Sequence, residues 1–260
     1  MNFRIPLTIA AATAVAFLTF TGVALANHSW GGYHWARTSN PFTLKLGDNL
    51  SSNWKPYLLT TSNDWSVSNV LDTNIVPGQS KGNCQPTRGR VEVCNKAYGN
   101  NGWLGLAQIW VSGLHITQGI TKVNDTYFNT TAYNTPGWRN LVMCQEVGHT
   151  FGLAHQDEIF NNTNLGTCMD YTGNPLGPPS NEHPNQHDYD ELGIIYAHLD
   201  TLSTIGQFTK SNGQTKDNVD LENPEQWGKS LKKDSRGKTS LFEKDLGKGD
   251  KVYTFVLWAD

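Results

Sequence analysis

The chain predicts an α+β fold, and three observations carry that expectation. Extended tracts cluster in the first half: Phe42 to Leu46, Val91 to Val93, Leu104 to Val111 and Leu114 to Val123 are rich in apolar and β-branched residues. Two later tracts, Trp138 to Gly152 and His187 to Leu199, space their apolar residues for helices instead. No fixed-period repeat divides the chain, and 260 residues suffice for one large domain with its own core.

Taken in order, Met1 to Arg4 form a short basic start, Ile5 to Val23 are uncharged and mostly apolar, and Ala24-Leu25-Ala26 is a small-x-small cleavage signal. This pattern predicts a secretory signal peptide over 1–26 and a secreted product. His34 to Arg37 and Phe42 to Leu46 read as a first strand. Ser51 to Ser66 reads as a helix, with Trp54, Tyr57, Leu58 and Trp65 on its apolar side. Val91 to Val93 is a short strand, and Ser112-Gly113 separates two longer ones. Thr126 to Tyr133 is polar strand or loop, and Thr135-Pro136-Gly137 is a turn that opens the Trp138 to Gly152 helix. Asn161 to Gly166 and Thr172 to Asn185 are Asn-, Gly- and Pro-rich loops. His187 to Leu199 is a helix with Asp188 and Asp190 in its first turn. Thr209 to Lys251 is polar and charged, a mobile surface segment by composition. Val252 to Trp258 is a strand apolar enough to require docking. The expected organisation is a signal peptide over 1–26, a catalytic domain over 27–200, and a tail over 201–260 whose final strand (252–258) docks on that domain.

Charge and cysteine usage narrow the function. Without residues 1–26 the chain loses Arg4 and no acid, leaving 19 basic against 23 acidic residues and a net charge of −4. That balance argues against a nucleic acid or an anionic membrane as partner. Cys84, Cys94, Cys144 and Cys168 are an even set in an exported chain, which reads as two disulfides with three possible pairings.

Gln145, Glu146, His149, Gly152 and His155 carry the chemistry. They stand as Q-E-x-x-H-x-x-G-x-x-H. Residues four apart on a helix share a face, so Gln145 and His149 can hold one ion between them. Gly148 leaves room for close approach. Gly152 permits a left-handed turn, after which His155 can supply a third ligand. Glu146 lies beside the ion, where it can take a proton from an activated water. Downstream, Thr167-Cys168-Met169-Asp170-Tyr171 follows His155 at a short distance.

The motif resembles the long zinc signature of the metzincin metalloproteases, closest to their matrixin-like bacterial type, with Gln145 in place of the first His. The resemblance covers roughly Trp30 to Asp200. It implies a metzincin-like fold: a twisted mixed sheet with a backing helix and an active-site helix, and a small lower subdomain with a Met-turn and a C-terminal helix. Met169 resembles the Met-turn methionine that floors the zinc site. Tyr171 matches a tyrosine that stabilises the oxyanion in the astacin and serralysin branches. Gly105 to Ile109 resembles the edge strand that receives substrate, so a peptide is expected along 104–110. Cys144 and Cys168 immediately precede Gln145 and Met169. A bridge there would clamp the helix to the floor, which favours the pairing Cys144–Cys168 with Cys84–Cys94.

The implied function is a secreted zinc endopeptidase acting as a monomer on protein or peptide, with one Zn2+ held by Gln145, His149 and His155. Glu146 is its general base and Tyr171 its oxyanion donor. A neutral Gln leaves the charge on the ion unchanged, but an amide oxygen is a poorer zinc donor than imidazole nitrogen, so lower zinc affinity is expected. The alternative is an inactive metzincin-like scaffold that binds peptide or glycan; Glu146→Gln discriminates the two. His183 and His187 read as surface residues near a loop, and His115 as a wall or surface residue of its strand.

Overall fold

The structure is a computed structural model that describes residue 1 and residues 28–80, 82–206 and 222–259. The expected signal peptide, 1–26, lies outside the described residues apart from residue 1. The elements in chain order are β1 (His34–Trp35), β2 (Phe42–Asn49), α1 (Lys55–Trp65), β3 (Leu71–Pro77), β4 (Val91–Lys96), β5 (Trp103–Ser112), β6 (His115–Asn124), α2 (Asp125–Phe128), α3 (Pro136–His149), α4 (Gln186–Ile195), β7 (Lys229–Lys233), β8 (Thr239–Gly247) and β9 (Asp250–Trp258).

The fold is α+β, built on one mixed sheet. Among the described residues the strand order is β3-β2-β4-β6-β5-β9-β8-β7, with β1 added beside β6. β2 pairs in parallel with β3 and β4, and β4 in parallel with β6. β5 is antiparallel to both β6 and β9, and β8 is antiparallel to β9. The antiparallel half is thus made by the hairpin of β5 and β6 and by the chain's last strands.

Several expectations are corrected. The single first strand is two: β1 joins β6, whereas β2 lies between β3 and β4. β3 lies in a stretch with no clear alternation, and it forms because β2 offers it a parallel ladder from Phe42 to Asp48. The polar stretch after Asn124 opens with the short helix α2, capped by the Asn124 side chain. The helix expected over 187–199 stops at Ile195. Part of the stretch over 209–251, expected as a mobile segment, forms β7 and β8. β7 is rich in lysine and exposed throughout, as suits a sheet-edge strand that must resist pairing with another chain. The remainder of that stretch, through 221, lies outside the described residues.

α1 and α3 pack together over the sheet. Trp65 at the end of α1 donates its indole N–H to Cys144 O at 3.2 Å and stands edge-on to Phe151. On the sheet side, Thr121 Oγ1 of β6 donates to Glu146 O at 3.2 Å. Tyr196, just past α4, donates to Phe151 O and receives the Trp35 N–H. These buried hydrogen bonds fix the motif helix between the sheet, α1 and the chain after α4, because a buried donor left unpaired would cost about 1–3 kcal/mol.

Candidate metal centre

α3 begins where the Thr135 side chain accepts from Trp138 N–H with Pro136 in the first turn. It ends at Thr150, and Gly152 reverses the chain at a φ of 102°. A Cβ at Gly152 would collide with Tyr33 O, so this turn is closed to any side chain. The reversal brings His155 back against His149, with their Nε2 atoms 2.8 Å apart.

Protonation makes that contact informative. A carbonyl only accepts, so His149 carries its proton on Nδ1 and donates it to Leu153 O at 2.8 Å. His155 Nδ1 faces the Glu158 carboxylate at 2.7 Å in the same manner. Both Nε2 atoms therefore present lone pairs to each other. Burial lowers the pKa of both rings, and each feels its charged neighbours in addition. A shared proton is thus disfavoured, and a metal ion is the cation that suits this pair. Gln145 lies one helical turn before His149 on α3. Its Nε2 donates to Cys168 O at 2.8 Å, and its buried Oε1 has no hydrogen-bond partner. The donor set fits zinc: two imidazole nitrogens oriented by acceptors behind them, and an amide oxygen left free.

Glu146 is fully buried on the same helix, against Gly105 of β5. Neither carboxylate oxygen has a hydrogen-bond partner of good geometry. Burial raises its pKa well above the ordinary value, and the Leu257 backbone amide offsets this only in part. Met169 is buried with its Sδ beneath Gly148, where an added Cβ would come within 2.7 Å of it. Two disulfides are present, Cys84–Cys94 and Cys144–Cys168. The second joins α3 to the turn that carries Met169.

Tyr171 packs its ring, tilted by 55°, against His155 with centroids 4.3 Å apart, but its hydroxyl is engaged: it donates to Val256 O of β9 at 3.0 Å. Phe255 lies flat on His149, ring centroids 4.0 Å apart. The Val256–Leu257 peptide thus has its carbonyl on Tyr171 and its amide side toward Glu146. The expected edge strand over 104–110 is corrected here, because β5 is hydrogen-bonded on both sides and β9 occupies the side where a peptide was expected. His183 is half exposed and pairs with Asp64, and His187 stacks on His28, so neither joins His149 and His155.

Residue reasoning missed Glu158 and the β9 residues. Burial alone would raise the Glu158 pKa, but His155, Lys232 and Ser240 hold it at about 2. Its signal was local: an acid three residues past a histidine ligand can orient that ligand. Phe255 had no local signal, because only the pairing of β9 with β5 brings it to His149.

No protein-family model matches the chain, and no curated protein matches it in sequence. Among solved structures it is similar to myroilysin at 12% identity and a TM-score of 0.36, over 63% of this chain and 96% of that one. A second myroilysin structure gives 12% identity and 0.36 over 68% and 97%. High choriolytic enzyme 1, a hatching enzyme zinc-protease from the medaka fish Oryzias latipes, gives 11% identity and 0.36 over 65% and 96%.

Proposed function

We propose that this protein is a secreted zinc endopeptidase of metzincin-like type, held in a closed form by its own last strand. The observation that carries the reading is the pair of Nε2 lone pairs on His149 and His155, converging beside α3 and the buried Glu146 carboxylate, which no side chain engages. The two disulfides support an exported protein.

In this reading His149, His155 and the free Oε1 of Gln145 hold the ion. Zinc bound there would polarise the scissile carbonyl and lower the pKa of a water beside it. Glu146 takes a proton from that water and delivers it to the leaving amine; a carboxylate with a raised pKa suits both transfers. Tyr171 donates to the carbonyl oxygen. Glu158 fixes the tautomer of His155 and holds its ring in place.

β9 runs antiparallel along β5 as an added peptide strand would, and it places one of its own carbonyls on Tyr171. Substrate must replace it, so the closed form has low activity. The test uses zinc-loaded protein and unfolded casein, with and without chelator. Wild type, Phe255→Ala and the same two proteins carrying Glu146→Gln are compared. Chelator-sensitive cleavage that rises in Phe255→Ala and disappears with Glu146→Gln is expected. A zinc-loaded, folded Phe255→Ala protein that cleaves nothing would overturn the protease reading and leave the peptide- or glycan-binding scaffold.

A further inference from the structure

We propose a second zinc site, separate from the motif, built from His34, His115 and Asp200, with His198 beside it. β1 and β6 pair with His34 directly opposite His115, which puts both imidazoles on one face. The chain after α4 then runs beside β1: Asp200 N donates to Arg37 O and Thr204 N to Ala36 O, each at 2.9 Å. This backbone pairing delivers His198 and Asp200 to the two histidines. The four residues come from three segments far apart in sequence.

The donor atoms converge. His115 Nε2 lies 3.2 Å from Asp200 Oδ1, His34 Nε2 lies 3.4 Å from it, and His198 Nε2 lies 3.7 Å from it. His198 Nε2 is 3.1 Å from His34 Nε2. Zinc bonds to nitrogen and oxygen of about 2.0–2.1 Å imply tetrahedral ligand–ligand edges of about 3.3 Å. The spacings from Asp200 to His115 and His34, and from His198 to His34 and Asp200, bracket that edge, and the donors of His34, His115 and Asp200 all lie within 4.8 Å of one another. The His34 ring is close to perpendicular to those of His115 and His198, as rings around a common centre can be.

Hydrogen bonding outside the cluster prepares the donors. His34 Nδ1 donates to Gly32 O at 2.9 Å, so in the neutral ring Nε2 is the lone pair that faces Asp200 Oδ1. Asp200 Oδ2 is taken by the Arg37 guanidinium at 3.0 Å and by the Arg37 N–H at 3.1 Å. Oδ1 is left for the histidines. Two imidazoles and one carboxylate oxygen, with the His198 imidazole adjacent, are a borderline donor set that suits zinc better than calcium or magnesium. Arg37 is the positive charge beside the site, and it lies on the far carboxylate oxygen. His34 is buried, whereas His198 and His115 are 55% and 32% exposed, which leaves an entry path for the ion. Such an ion would tie the first strand to the chain that leaves α4.

The test is zinc stoichiometry of the purified protein after chelator stripping, reloading and gel filtration. Cobalt(II) substitution gives a second readout through the strong visible bands of a tetrahedral site. His115→Ala/His198→Ala changes two partly exposed residues and keeps the motif intact. It should hold one zinc ion per chain fewer than wild type and lose part of the zinc-induced rise in Tm. His149→Ala/His155→Ala should keep that ion and its cobalt bands. Should this buried pair fail to fold, the first variant still decides. Protons alone can also satisfy the cluster, with His198 donating to His34 and His115 to Asp200. That arrangement binds no ion, so equal stoichiometry in wild type and His115→Ala/His198→Ala overturns the proposal. Failure of the motif site reads differently: His149→Ala/His155→Ala would then hold as much zinc as wild type.

Discussion

Removing the two disulfides one at a time separates a staple that only restrains the chain from one that also shapes the proposed metal centre. Cys144–Cys168 spans 24 residues and Cys84–Cys94 spans 10. Loop-closure entropy then assigns about 3.4 kcal/mol to the first and about 2.7 kcal/mol to the second at room temperature. The paired Cys→Ala variants should therefore lose similar stability in urea unfolding, within about 1 kcal/mol of each other. Metal binding should not follow that similarity. Cys168 O is the acceptor that holds Gln145 Nε2 at 2.8 Å, and Met169 beneath Gly148 follows Cys168 directly. Cys84 and Cys94 pack instead with Trp110, Ile120 and Val252. Zinc titration of both variants is the assay. Cys144→Ala/Cys168→Ala should bind zinc at the motif at least tenfold more weakly, the lower end of what loss of an orienting partner costs. Cys84→Ala/Cys94→Ala should match wild type. Equal zinc affinity in the two variants would refute the link between this bridge and the position of Gln145.

Gln145→His should raise zinc affinity and Gln145→Ala should lower it. A zinc titration in which Gln145→Ala equals wild type would remove Gln145 from the site. Phe255→Ala deletes a ring that is buried on His149, which should cost about 3–5 kcal/mol in urea unfolding; a loss under 1 kcal/mol would show that β9 is loosely held. Asp170 has its pKa pushed from 3.8 to about 7, first by burial and then by Asp157. Its folded form holds the proton more tightly than its unfolded form. Its stabilising contribution is therefore full below pH 3.8 and is lost as pH rises to about 7. Asp170→Asn stays neutral, so its Tm should fall less than that of wild type between pH 5 and pH 8. Parallel Tm curves would contradict this.

The legible parts of this protein are those decided within a few residues. The Thr135-Pro136 start of α3, the Asn185–Asp188 capping box of α4 and the turn at Gly152 act through hydrogen bonds and sterics one turn away. Residue types alone therefore placed Gln145, Glu146 and His149 on a helix and sent His155 back toward it. Apolar continuity likewise marked β5, β6 and β9 as strands. Which strands become neighbours is another matter. β9 had to bury its apolar residues somewhere, but its place against β5 depends on every competing edge of the sheet, and that pairing sets Phe255 on His149 and Val256 on Tyr171. β3 and β7 carry weak local signals and form because a neighbour supplies their hydrogen bonds. His34, His115 and Asp200 looked unrelated, being separated by up to 166 residues, until β1 joined β6 and the chain after α4 ran beside β1. The sequence by itself determined the helix and turn that carry Gln145, Glu146, His149 and His155, because caps, glycines and i to i+4 spacing are local. Tertiary structure alone decided that β9 lies against β5 beside His149 and that His34, His115 and Asp200 meet, because contacts across a sheet are settled by burial and hydrogen bonding over the whole fold.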